Sequence, residues 1–239
     1  MTDELDDNIR DKLVSTAKGA AGIIPWAGGP LGEIISQVIP KQRLDRLVSY
    51  IRKLEDRIKS LETQEMQEAL SSPAKIDLIE TGGYQAARAT QEQRVTHIVE
   101  AVFNGIKAPE VEVIRRKRLL SLLGELDDDE IAILNAHGQS YGSAGMRNDA
   151  WNKIERPGPI HNQSPRDELD KNALYEAGKD HLLRLGLLKQ RFPGLKRGEY
   201  PDFDSNTGQF KGGVEVSPLG RLLLREIGMP SPFDNRGTA

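Results

Sequence analysis

The chain has 239 residues, with no cysteine, 37% hydrophobic residues, 29% charged residues and a formal net charge of −3. The lack of cysteine excludes disulfides, thiolate metal sites and thiol nucleophiles, and the near balance of charge gives no general attraction to polyanions. No apolar run reaches the ~20 residues of a membrane-spanning helix, and the modest hydrophobic share suits several helical segments better than one large core.

Residues 1–16 open acidic (MTDELDDNIRD) and space Leu5, Ile9 and Leu13 four apart, which predicts an amphipathic helix with an acidic first turn. A secretory leader would begin basic and continue apolar. The expected location is therefore the cytoplasm.

Residues 17–40 (AKGAAGIIPWAGGPLGEIISQVIP) set glycines among large apolar residues. Proline interrupts helices and restricts the residue before it. The expectation is two apolar helical arms joined at Pro25–Pro30, with Pro40 ending the second. Gly22, Ile23, Ile24, Trp26, Gly28, Gly29 and Leu31 form the arm proper. Two readings stand. One is a hairpin buried against the next helix, which spares the chain a sticky exposed patch. The other is a segment that meets a membrane surface. The glycines do not form a phosphate loop, since no GxxxxGK[ST] is present.

Residues 41–62 place Leu44, Leu47, Ile51, Leu54, Ile58 and Leu61 at alternating spacings of three and four, an a/d heptad pattern. Such a helix zips with a second copy or packs inside its own bundle, and a homo-oligomer or another protein partner is expected. Ser72–Pro73 reads as a helix cap followed by proline in the first turn. Gly82–Gly83 is expected to split that segment. A second helix gathers Val95, Ile98, Val99, Val102 and Phe103 on one face, with Gly105 placed to end it. Pro109 starts a helix carrying the basic run Arg115–Arg118, and Asp127 with Glu130 forms a capping-box-like start for the next.

Residues 138–165 are rich in Gly, Asn, Pro and Ser and read as a long loop. Ser164–Pro165 is expected to cap a helix that runs into HLLRLGLL. A β-hairpin pairing Leu187–Phe192 with Val214–Ser217 and a last helix in SPLGRLLLREIG follow, and the tail from Pro230 reads as disordered. The fold class is thus mainly α. Residues 1–70 are expected to form an N-terminal assembly region with a helical hairpin and heptad helix, and 71–126 a central helical region. Residues 127–229 are expected to form a module with a small hairpin, and 230–239 a tail.

The phrases HLLRLGLL and VEVSPLGRLLL, in that order around a turn-rich loop, resemble bacterial winged-helix domains. In a DNA-reading version the wing would touch phosphate through Lys189, Arg191, Lys196, Arg197 and Lys211. From Arg184 to Arg225 eight basic residues face four acidic ones, while the helix before the wing is balanced in charge. A protein-docking wing is the favoured reading, and nucleic acid the alternative.

The chemistry-bearing residues are sparse. His97, His137, His161 and His181 form no HxH or HExxH spacing. DFDSNTGQF lacks the bidentate glutamate of a calcium loop, and the serines lack a nucleophile-elbow context. Neither catalysis, a cofactor nor a metal is expected. Taken together, RVTHIVEAVFNGI (94–106), RLLSLLGELDDDEIAILNA (118–136) and the LRLGLL…VEVSPLGRLL pair resemble the Abi-alpha abortive-infection proteins of bacteria. The resemblance spans about residues 70–228 and implies phage defence or stress response, with no residue roles to carry over.

Overall fold

A computed structural model describes residues 39–61, 71–140, 149–154, 157–158, 161, 163–192, 194–196, 198–205, 209–232 and 234. The arm at 17–38 and the acidic residues 1–16 lie outside the described residues. Among the described residues the chain is mainly helical, with two small two-stranded antiparallel sheets near its C-terminus. It divides into two compact units, Met1–Lys117 and Arg118–Ala239.

The first unit contains α1 (Ile39–Ile58), α2 (Pro73–Arg88) and α3 (Glu92–Lys107). Helix α4 (Glu110–Glu125) crosses from the first unit into the second. Although the sequence assigns α1 to a separate assembly region, it packs directly on α2 and α3. Val48, Tyr50 and Leu54 of α1 are buried, as are all five residues of the apolar face read on α3. The Tyr50 hydroxyl donates to the Ile79 carbonyl at 2.8 Å, and burial pushes its pKa up.

Polar contacts bind α1 to α3 as a ladder. Ser49 donates to Glu92 at 2.6 Å, Lys53 to Thr96 at 2.8 Å and Arg57 to Glu100 at 2.5 Å. Each rung joins residues 43 apart and each step is four residues on both helices. The two helices therefore run parallel in a fixed register. Arg57 also lies 4.6 Å from the centre of the Phe103 ring, a cation–π contact.

Gly82–Gly83 does not split its segment, because α2 runs straight through both glycines. A Cβ on Gly82 would lie 2.7 Å from the Tyr50 hydroxyl oxygen. Close approach of helices, not a break, explains the glycine. Gly105 likewise fails to end α3, which continues to Lys107. Leu78 of α2 occupies the space a Gly105 side chain would need. Ser72 caps α2 as read, accepting the Lys75 N–H at 3.2 Å.

The second unit contains α5 (Asp128–Gln139), a short 3-10 turn (Trp151–Lys153), α6 (Arg166–Arg184), β1 (Leu188–Arg191), β2 (Phe203–Asp204), β3 (Gln209–Phe210), β4 (Gly213–Val216) and α7 (Pro218–Glu226). Strands β1 and β4 pair antiparallel from Leu188↔Val216 to Arg191↔Gly213, as the sequence reading of the hairpin requires. Leu182, Leu187, Leu188, Leu223 and Leu224 are almost wholly buried. Between α6 and β1, Gly186 takes φ +70, a left-handed position that glycine adopts at no steric cost. Ser217 fastens this turn to α7: its hydroxyl donates to the Gly186 carbonyl at 2.6 Å and accepts the Gly220 N–H at 2.9 Å.

Two terminal readings need correction. Ser164 does not cap α6; it accepts the His161 N–H at 3.1 Å, and Pro165 stands at the cap without a side-chain bond. The tail begins held rather than loose at residues 230–232 and 234, and the rest of it lies outside the described residues. Ser231 is 1% exposed, and its N–H and hydroxyl both donate to one Asp234 carboxylate oxygen. Burial acts to raise the Asp234 pKa, but the Ser231 hydrogen bonds and Arg225 bring it down on balance. Among the described residues no helix is long and apolar enough to cross a membrane.

Candidate interaction site

Two features of the second unit present chemistry to solvent. The first is a cleft of about 740 Å³ lined by α5, α6 and the Trp151–Lys153 turn. Its geometry begins with the capping box of α5. Asp127 accepts the Glu130 N–H at 2.7 Å, and the Glu130 carboxylate accepts the Asp127 N–H at 2.9 Å. The other Glu130 oxygen lies 2.6 Å from Nδ1 of His181 on α6. Glu130, only 6% exposed, thus caps one helix and holds the next. Gly178 of α6 faces Glu130 and Ile133 here, with room for a Cβ in ordinary contact at 3.4 Å from Glu130 Cγ and 3.7 Å from Ile133 Cδ1. The far wall is anchored by Trp151, whose indole N–H donates to Ser140 at 2.7 Å. Its ring meets His137 edge-on at 4.9 Å.

The second feature is the hairpin arm. At its base Glu215 on β4 pairs with Lys189 at 2.9 Å and with Arg191 at 3.8 Å. Farther out Phe203 and Phe210 face each other across β2 and β3. Their rings meet edge-to-face at 5.7 Å, and Phe192 meets Phe210 at 6.4 Å, favoured arrangements for aromatic quadrupoles. Phe203 is nevertheless 58% exposed, Phe210 50% and Tyr200 91%. The rings brace one another but have no core to enter.

The sequence-derived site residues distribute unevenly. Of the proposed phosphate contacts, Lys189 and Arg191 sit on Glu215, Lys196 and Lys211 are exposed, and Arg197 lies outside the described residues. Of the heptad set Leu54 is buried, while Leu44, Leu47, Ile51, Ile58 and Leu61 are partly exposed. Gly22, Ile23, Ile24, Trp26, Gly28, Gly29 and Leu31 lie outside the described residues. Sequence reasoning missed the Glu130–His181 pair, which spans 51 residues. It also missed the aromatic tip, whose signal was legible: four rings among Pro, Gly and Asp between residues 192 and 210. Among the described residues no group of three or more His, Asp or Glu is placed to hold a metal ion.

Among the described residues the chain is mainly helical, with two small antiparallel sheets, an open cleft and an exposed aromatic tip. It matches no family model, no curated protein and no solved structure in comparisons with known proteins.

Proposed function

We propose that this chain is a non-enzymatic interaction protein of the bacterial cytoplasm that serves in phage defence. Its 127–229 module acts as a winged-helix-like domain and docks a protein partner through the tip of its hairpin arm. The observation that carries this reading is the solvent-facing set of Tyr200, Phe203 and Phe210 on a braced ribbon. Exposed aromatics are costly to leave in water, and tyrosines and other rings dominate the energetics of protein interfaces. The local charge supports a protein partner over nucleic acid, because Glu215 already holds Lys189 and Arg191. The defence role rests on the resemblance of 94–106, 118–136 and the LRLGLL…VEVSPLGRLL pair to Abi-alpha proteins. Assembly would use the partly exposed Leu44, Leu47, Ile51 and Ile58 of α1. The arm around Gly22–Leu31 is the segment such a protein would apply to a membrane surface.

The test is phage plating on bacteria expressing the chain. Wild type lowers plating efficiency, and the triple variant Tyr200→Ser/Phe203→Ser/Phe210→Ser loses that protection while keeping its circular dichroism melt. Protection unchanged in the triple variant would remove the docking role, and no protection by wild type would remove the defence role. Light scattering of wild type against Ile51→Glu tests assembly separately: two monomers would end it.

The alternative is a DNA-binding regulator. It is favoured by the helix–hairpin–helix order of α6, β1–β4 and α7 and by the exposed Lys196 and Lys211. Its signature is retardation of duplex DNA at low salt that fades steeply as salt rises. No retardation ends that reading.

A further inference from the structure

We infer that a pocket at the start of α2, against the end of α3, binds a small organic anion whose carboxylate or phosphate is taken by the ammonium of Lys75. The pocket lies within the first unit and does not depend on docking by the hairpin arm. The inference starts from the burial of one side chain. Lysine is almost never withdrawn from water unless an anion pairs with it. Lys75 is 8% exposed. Its backbone N–H is bonded to Ser72, but among the described residues none pairs with or accepts from its ammonium.

One carboxylate does reach this helix start, and it is engaged elsewhere. Ser72 Oγ donates to Glu110, lying 2.9 and 2.7 Å from its two oxygens, and accepts the Lys75 N–H at 3.2 Å. Glu110 is thus tied to the cap of α2 and not to the ammonium of Lys75.

That side chain instead lines a pocket of about 400 Å³. Leu61, Ile106, Ala108 and Pro109 give it apolar walls. The volume is near the lower end of the few hundred to a thousand Å³ of small-molecule sites. It suits a ligand of metabolite size and not a peptide. Lys75 stands in the first turn of α2, where the helix dipole places partial positive charge. Among the described lining residues Lys107 adds a second cation against the single carboxylate of Glu110. Leu78, one turn beyond Lys75, fills the notch at Gly105, so α2 and α3 are held together beside the pocket. A buried cation at a helix start selects an oxyanion, and the apolar walls select one carried on an organic body. A carboxylic acid and a phosphate monoester share that chemistry.

An unpaired buried ammonium lowers the stability of the free protein, and an apolar side chain of similar length relieves the cost. A lysine paired within the chain behaves oppositely, because its removal strands the partner. Lys75→Met separates the two cases. The test uses the full chain, with 3-methylbutanoate and glycerol 3-phosphate as probes in isothermal titration calorimetry and sodium chloride at equal ionic strength as the control. The expected result is saturable one-site binding of a probe, with slowed hydrogen exchange at Pro73–Ile79 and Ile106–Glu110. Lys75→Met should weaken that binding about tenfold or more, the scale of a lost charge-assisted contact. Without ligand it should melt no lower than wild type. Arg88→Met removes a charge from the last residue of α2 and should bind as wild type does. Binding of the branched acid alone assigns a carboxylate ligand, and binding of the ester alone a phosphate. A lowered melting temperature in ligand-free Lys75→Met, equal affinity in Lys75→Met and wild type, or no saturable binding of either probe overturns the inference.

Discussion

Between α1 and α3 the polar contacts repeat once per turn and stay half in water: Lys53 and Glu92 are 36% and 59% exposed, Arg57 45%. Arg118–Ala239 has exposed pairs too, as at Glu215, but it also holds polar side chains that are buried at isolated points. Ser217 is 5% exposed, Glu130 6% and Ser231 1%. The two arrangements have different consequences. An exposed ion pair contributes little, because water already solvates both charges and the long side chains lose freedom. A buried polar group must find its partner or forfeit its full solvation. The first unit should therefore tolerate loss of any rung and depend on its apolar contacts. The second should depend on a few hydroxyls and carboxylates.

The largest effect expected is in the first unit's core. Tyr50→Ala removes a 2%-exposed ring from between α1 and α2 and should cost about 3–5 kcal/mol, read as the urea midpoint of that unit. Next comes Gly82→Ala. In an open helix this change stabilises by up to about 1 kcal/mol. Here the added methyl meets Tyr50 and Val102, so a loss of about 1–3 kcal/mol is expected from overpacking. A stabilised Gly82→Ala would show that the helices part easily.

Ser217→Ala tests the second unit. It removes the α7 cap and the bond to Gly186 together, and about 1–2 kcal/mol should be lost. Hydrogen exchange at α7 should rise with it. The smallest effect is electrostatic. The Ser49 hydrogen bond, with help from Lys53, holds the Glu92 carboxyl below its ordinary pKa against a burial effect that raises it. Folding therefore gains from this group above the unfolded glutamate pKa and loses that gain as pH falls through the folded one. Glu92→Gln should flatten the acid limb of the first unit's stability profile slightly. An unchanged limb would assign the acid sensitivity elsewhere.

Local chemistry was the legible part of this fold. The Ser72 cap, the Asp127–Glu130 box and the pairing of β1 with β4 depend on residues near one another or on alternating pattern, and all appear where the sequence puts them. The two glycine readings failed for one reason. Propensity treats glycine as a breaker, yet Gly82 and Gly105 are set by what lies on another helix, Tyr50 and Leu78. The cleft was hidden for a similar reason. Glu130 was explained by its own cap, and nothing local indicates that its second oxygen meets a histidine 51 residues away.

The ladder between α1 and α3 also bears on how the unit finds its alignment. Sliding α1 forward by one turn would bring Ser49 to Thr96, Lys53 to Glu100 and Arg57 to Asn104. Every new rung is still a plausible hydrogen bond, so the polar contacts are nearly degenerate between the two alignments. The apolar groups are not. One turn is a 5.4 Å shift, which would carry the Tyr50 hydroxyl off the Ile79 carbonyl and its ring off Gly82. Correct alignment is thus a decision taken by a single tyrosine over a pair of glycines. In a chain without cysteine, paired cysteines at 49 and 92 or at 49 and 96 would report which alignment a folding molecule samples first.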